Sequence, residues 1–134
     1  MNTRERFGKG PVAAGHACIW DEVFPVSVIA GFTSPAIRGD VEADMPAVFR
    51  ALGKVPALAH MDQVHGAEVR TVESGGRYEC DGIFTGLPEL ALVVRTADCL
   101  PLIFFSESKR VAGAVHMGWR SAAAGIIGNI PFDL

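Results

Sequence analysis

Long apolar runs are missing from this 134-residue sequence, and so is any concentration of charge of one sign. Each apolar stretch breaks after a handful of residues at a charge, a polar residue or a turn, whereas a membrane-spanning helix needs about 20. Acids and bases are interspersed and the formal net charge is −3. With no basic stripe or polybasic block, nucleic acid is not expected as a partner. The N-terminal segment, Met1 to Gly10, is charged and lacks the apolar core of a signal peptide. Cysteine is scarce as well. Cys18, Cys80 and Cys99 make an odd number at irregular spacing, which does not describe a disulfide framework and fits a reducing cytoplasm. Repeats, low-complexity tracts and linker-like collections of Gly and Pro are absent too, so residues 1–134 are expected to form one domain or part of one.

Apolar material is plentiful by contrast, at 49% of the residues, enough for a sizeable core. Val26 to Ala30 reads as a short buried strand closed by Gly31, Thr33, Ser34 and Pro35. Asp44 reads as a helix N-cap, with Pro46 in the first turn and Gly53 just past the end; Val48 and Leu52 would share the buried face. Strands are expected at Ala57–Met61, Val69–Val72, Leu90–Val94, Leu100–Phe105 and Val111–Val115. Ser121 would then cap a small-residue helix over Ala122–Ile127. Apolar runs in several strands favour sheets covered on both faces, hence a layered mixture of α and β.

Three polar breaks share a design. Gln63-Val64-His65-Gly66, Thr96-Ala97-Asp98-Cys99 and His116-Met117-Gly118-Trp119-Arg120 each sit at the end or start of an apolar strand and present a nitrogen or sulfur donor. Strand-end residues are held rigidly yet open to a cleft. Two imidazoles and a thiolate suit zinc, and three protein ligands leave a fourth tetrahedral position for water or substrate. A single cysteine after an apolar strand is nevertheless more often a small buried hydrophobe, and a single histidine more often a structural hydrogen-bonder. The spacings match no short zinc motif. Residue chemistry alone therefore leaves Cys99 open between hydrophobe, ligand and nucleophile.

Taken in order, Gln63-Val64-His65-Gly66, Asp81-Gly82, Thr96-Ala97-Asp98-Cys99-Leu100-Pro101 and Ala114-Val115-His116-Met117-Gly118-Trp119-Arg120 resemble the motif set of the laccase-domain family. That family is also called multicopper polyphenol oxidase-like or peptidoglycan editing factor, and its members act as purine nucleoside phosphorylases. The resemblance covers roughly residues 26 to 127 and is densest from 57 to 121. It implies a Zn2+ ion held by His65, Cys99 and His116, with copper disfavoured because laccase chemistry needs more histidines than the four present. It also implies phosphorolysis of adenosine, inosine and methylthioadenosine to base and ribose 1-phosphate, together with deamination of adenosine. The implied fold is α+β, layered α/β/β/α with mixed sheets, as in the cytotoxic necrotising factor deamidases. The family's domain continues past the His-x-Gly-Trp-Arg motif, so this chain is expected to be its N-terminal portion, incomplete at the C-terminus.

The neighbours of the triad carry further expectations. Arg120 is a candidate phosphate clamp, since guanidinium matches phosphate oxygens bidentately; a surface arginine at a helix start is the plainer alternative. Asp98 would orient a ligand histidine or, on slightly better grounds, form the turn. Asp81-Gly82 reads as a turn dipeptide. Trp119 is expected to pack under the sheet end ahead of stacking on a purine. His16 and His60 read as structural or exposed, and Cys18 and Cys80 as unreactive thiols. Rival readings are a metal-free Cys–His hydrolase or deamidase using Cys99 and His116, and a non-catalytic fragment. The partners expected are purine nucleosides and phosphate, with no membrane and no nucleic acid; the sequence specifies no oligomeric state.

Overall fold

The computed structural model describes residues 17–19, 27–33 and 40–131. His16, the side chain of Cys18, the start of the expected strand at Val26, the Ser34-Pro35 turn and residues 132–134 lie outside the described residues. Two compact units divide the chain, Met1–Pro56 and Ala57–Leu134.

In the first unit β1 (Ala17–Ile19) pairs antiparallel with β2 (Gly31–Thr33), Cys18 standing opposite Phe32. The strand expected at 26–30 is therefore displaced: residues 28–30 carry no strand, and pairing begins at the glycine thought to end it. Apolar character marks what can pair, but the partner's register decides where pairing starts. Helix α1 (Val41–Ala51) also starts earlier than expected. Its N-cap is Asp40, not Asp44, and one Asp40 carboxylate oxygen accepts from Glu42 N–H at 2.9 Å and Ala43 N–H at 3.2 Å. Pro46 consequently lies within the helix and not in its first turn, where the missing N–H would matter least. The C-terminus is as anticipated. Gly53 takes φ 74, and the N–H groups of Gly53 and Lys54 bond to the carbonyls of Arg50 and Phe49 in a Schellman arrangement. Val48 is buried and Leu52 half-buried.

The second unit holds seven strands, β3 (Ala57–Asp62), β4 (Val69–Thr71), β5 (Gly76–Glu79), β6 (Gly82–Thr85), β7 (Leu90–Val93), β8 (Leu100–Ser106) and β9 (Val111–Met117). They form a parallel sheet in the order β5-β3-β7 and a mixed sheet in the order β4-β6-β9-β8. Strands β5 and β6 were not anticipated. The first is a polar Gly-Arg-Tyr-Glu, tied to β3 by an Arg77–Asp62 ion pair at 2.5 Å, and the second begins at the glycine of a supposed turn.

Alternation along the strands sorts side chains into two cores. Ala59 and Met61 of β3, Ile83 of β6 and Ala114 of β9 fill the space between the two sheets. Phe84 and Val115, on the opposite face of the mixed sheet, pack with Ile126 and Ile130 of the C-terminal helical segment. The layering in this unit is thus sheet, sheet, helix, which bears out the α+β class. Helix α2 (Trp119–Ala123) is followed by a 3-10 turn, Ile126–Asn129, in place of one helix over 122–127. Its N-cap is Gly118; Ser121, expected as the cap, lies inside the helix, buried, with no hydrogen-bond partner for its hydroxyl. Among the described residues no helix is long and apolar enough to cross a membrane.

Candidate metal centre

Where β3 ends, Gln63 carries the strand pairing one step further with its side chain. Its amide donates to the Arg95 carbonyl at 2.7 Å and accepts from the Arg95 N–H at 2.8 Å, as a paired backbone residue would. The bend after β3 is thereby tied to the segment after β7 that leads to Cys99. His65 follows at φ 60, a left-handed conformation uncommon outside glycine and one that concentrates at functional sites. Thr96 donates its hydroxyl to the Cys99 carbonyl and closes the second bend. His116 is the penultimate residue of β9, opposite Pro101 of β8, so the antiparallel pairing itself delivers Cys99 to the end of β9.

The three donors converge. The ligand atoms of His65, Cys99 and His116 lie within 4.8 Å of one another, and the His65 and His116 rings meet edge to face at 5.0 Å between centroids. Tetrahedral ligands at ordinary Zn–N and Zn–S lengths stand roughly 3.3–3.6 Å apart, so the set is close to closing on an ion. Exposure is graded: His65 is exposed, Cys99 half-buried and His116 buried, so the cluster opens to solvent on one side. It is the one group of three such donors among the described residues. The space between the ligands exists because residue 118 lacks a side chain. A Cβ there would stand 2.9 Å from Cys99 Sγ and 3.4 Å from His65 Cδ2. Donor chemistry and clearance both fit a metal ion.

Beneath the cluster lies Asp81, with no exposed surface. One of its oxygens accepts from Val64 N–H at 3.1 Å and Gly66 N–H at 2.9 Å; the other takes His65 N–H at 3.1 Å and meets His116 Nδ1 at 2.8 Å. Its backbone is engaged too, accepting from His116 N–H at 2.7 Å and donating to the Glu68 carbonyl at 3.1 Å. Burial pushes the Asp81 carboxyl upward, but the bonds from His116 and from Gly66, Val64 and His65 outweigh it, and the group sits below the usual carboxylate value.

Of the two readings of Asp98, it lies exposed in the bend Ala97–Cys99, and the carboxylate on the histidine is Asp81; adjacency to a ligand in sequence did not translate into reach. The turn dipeptide Asp81-Gly82 thus supplies a buried carboxylate to the cluster. Its signal was the run Cys80-Asp81-Gly82-Ile83-Phe84: an acid that is buried among such neighbours must be partnered. Gln63 and Gly118 were quoted only as parts of motifs and turn out to be structural determinants of the cluster.

Trp119 does not pack under the sheet end; it is 77% exposed. The guanidinium carbon of the exposed Arg120 lies 5.3 Å from its ring centroid. His60 is buried within β3. Cys80 is buried in the inter-sheet core, and burial pushes its thiol upward, in keeping with an unreactive role.

Residues 30–131 match the family model described as multi-copper polyphenol oxidoreductase laccase. Among curated relatives, a purine nucleoside phosphorylase of Pseudomonas aeruginosa is 37% identical over 67 residues, covering 50% of this chain and 28% of that protein. One from Deinococcus radiodurans is 38% identical over 73 residues, covering 54% and 27%. Among solved structures, YlmD from Geobacillus stearothermophilus aligns with a TM-score of 0.60 at 27% identity, covering 68% of this chain and 38% of that one. The matched stretch spans less than two fifths of each of these proteins.

Proposed function

The chain belongs to the family described as multi-copper polyphenol oxidoreductase laccase, and we propose that it carries the metal centre of a zinc-dependent purine nucleoside phosphorylase. The observation that carries this reading is the convergence of His65, Cys99 and His116 to within 4.8 Å, from two separate bends and the end of a strand. Support comes also from the purine nucleoside phosphorylases among its relatives. Zinc suits two imidazoles and a thiolate better than a multi-copper assembly does, since only four histidines are present in the whole chain.

The proposed reaction transfers the ribosyl group of adenosine, inosine or methylthioadenosine from the purine to phosphate, giving free base and ribose 1-phosphate. Deamination of adenosine to inosine is proposed at the same centre. When bound, zinc would supply a Lewis acid toward an oxygen of water or substrate. His65 and Cys99, on the open side, face whatever enters, while His116 is the buried anchor. Arg120 offers a cation to phosphate oxygens, and the exposed face of Trp119 a surface on which a purine can stack. Incubation of the metal-analysed chain with adenosine, with and without phosphate, tests the proposal. Phosphate-dependent release of adenine and ribose 1-phosphate is expected. Inosine as the sole product would reduce the reading to a deaminase, and no turnover by a zinc-loaded chain would remove it from this chain altogether.

A second reading has one observation in its favour. Asp81, His116 and Cys99 stand in the order of an acid–base–nucleophile triad, which a metal-free Cys–His hydrolase or deamidase would use. Metal analysis separates the two: stoichiometric zinc that is lost in Cys99→Ala speaks for the phosphorylase.

A further inference from the structure

We propose that Asp81 is the positioning residue of the centre: its carboxylate fixes the His116 proton on Nδ1, leaving Nε2 free to bind, and holds His65 in place through the backbone. The inference rests on the reading of His65, Cys99 and His116 as a ligand set. What carries it is a count of donors. A carboxylate only accepts, at about four lone-pair sites, and four partners occupy them. Three are the backbone N–H groups of Val64, His65 and Gly66, which can only donate. The fourth is His116 Nδ1, which must therefore be the protonated nitrogen of its ring. In the neutral ring the second nitrogen is then a bare lone pair, as a metal ligand requires. The same oxygen that takes His116 Nδ1 takes the N–H of His65. Three successive N–H groups turned onto one carboxylate explain how His65 holds its left-handed φ of 60.

An amide of the same shape cannot do this. In Asp81→Asn the new NH2 must replace one of the two oxygens. At the position facing Val64 and Gly66 it would meet two backbone N–H groups, neither of which can become an acceptor. At the other it meets the His65 N–H and His116 Nδ1, and only the imidazole can give up its proton. The substitution is therefore expected to move the His116 proton to Nε2, abolishing the free lone pair, and to release His65.

The test uses the full chain, metal-free and labelled with 15N-histidine, with the His116 ring identified by its loss in His116→Gln. Wild-type protein is expected to show His116 as the Nδ1–H tautomer, and Asp81→Asn to show it inverted. In parallel, cobalt(II) titration followed by the thiolate-to-cobalt absorption band should show affinity falling at least about tenfold in Asp81→Asn. A wild-type His116 found as Nε2–H, or averaging between tautomers, overturns the proposal without need of any variant, so misfolding of Asp81→Asn cannot shelter it. Unchanged cobalt affinity in a folded Asp81→Asn protein overturns it alone. Failure of wild-type protein to take up cobalt overturns the ligand set, and this proposal with it.

Discussion

Replacing Gly118 by alanine adds one methyl group at the most crowded point of the centre, and its effect can be worked out in advance. The backbone there, at φ −85 and ψ 178, is open to any residue, so the substitution brings no backbone strain. What it brings is a Cβ 2.9 Å from Cys99 Sγ and 3.4 Å from His65 Cδ2. Non-bonded carbons rest comfortably at about 3.5–4.0 Å, and sulfur is no smaller, so the thiolate must retreat by roughly 0.6 Å or more. Metal–ligand distances tolerate only about 0.2 Å. Overpacking of this kind costs about 1–3 kcal/mol, partly offset by the ~0.4–1 kcal/mol that alanine gains through a less flexible unfolded chain. We expect Gly118→Ala to lose about 1–2 kcal/mol of stability in its metal-free form. Its zinc affinity should fall at least about tenfold, or ~1.4 kcal/mol. Chelator competition reads the affinity and a thermal melt of the metal-free chain reads the stability. Gly128→Ala is the control, because no atom lies within 4 Å of its added Cβ. Zinc affinity in Gly118→Ala equal to that of wild type would show that the three donors do not close around an ion here.

Other perturbations probe the same unit. Because the Asp81 carboxyl sits below its ordinary value, its ionised form stabilises the fold; that contribution is complete above about pH 3.9 and lost as pH falls through the lower folded value. The difference in urea stability between wild type and Asp81→Asn should accordingly be large at neutral pH and shrink below about pH 4; a difference independent of pH would refute that assignment. In the native metal-free chain, mild alkylation should modify Cys99 and spare the buried Cys80, whose thiol burial pushes upward, until denaturant is added. Zinc should then protect Cys99, and peptide mapping that finds Cys80 labelled as fast as Cys99 would contradict its placement. Arg120→Ala should raise the phosphate concentration needed for half-maximal phosphorolysis far more than it slows adenosine deamination; equal loss of both activities would remove the phosphate role.

What the sequence disclosed follows from what a sequence pattern can encode. Strands β3, β7, β8 and β9 were legible because each carries apolar residues over a strand's length and is bounded by a polar break or a turn. Strand β5 was not, since Gly76-Arg77-Tyr78-Glu79 is polar and owes its strand state to pairing with β3. Strand β6 was hidden by the Asp81-Gly82 dipeptide, which has turn chemistry but here enters the middle of a sheet. The preference of proline for a first turn pointed to Asp44 as the helix cap, whereas the cap lies four residues earlier, at Asp40. The three donors were found because nitrogen and sulfur at strand ends are rare and conspicuous. Their supports were missed because support is a relation in space: Asp81 lies 35 residues from the ring it holds, and Gln63 pairs with a backbone 32 residues away.

The register of β8 against β9 joins these features into one requirement. Ile103 and Ala114 face the inter-sheet core, while Leu102 and Val115 face the helical side, so each strand packs on both faces, β9 buried and β8 half-buried. A slip by one residue would exchange the two sets and expose neither to a face that fits it. With the register fixed, Leu100 stands opposite Met117, and the residue before the one lies beside the residue after the other. Those two are Cys99 and Gly118. Any other register would set the thiol against Met117 or Trp119, whose side chains would fill the space that the missing Cβ leaves open. The same pairing turns His116 to the face it shares with Ala114, where Asp81 waits at 2.8 Å. The centre is thus specified twice, by the burial pattern that fixes the register and by the one glycine that the register makes necessary.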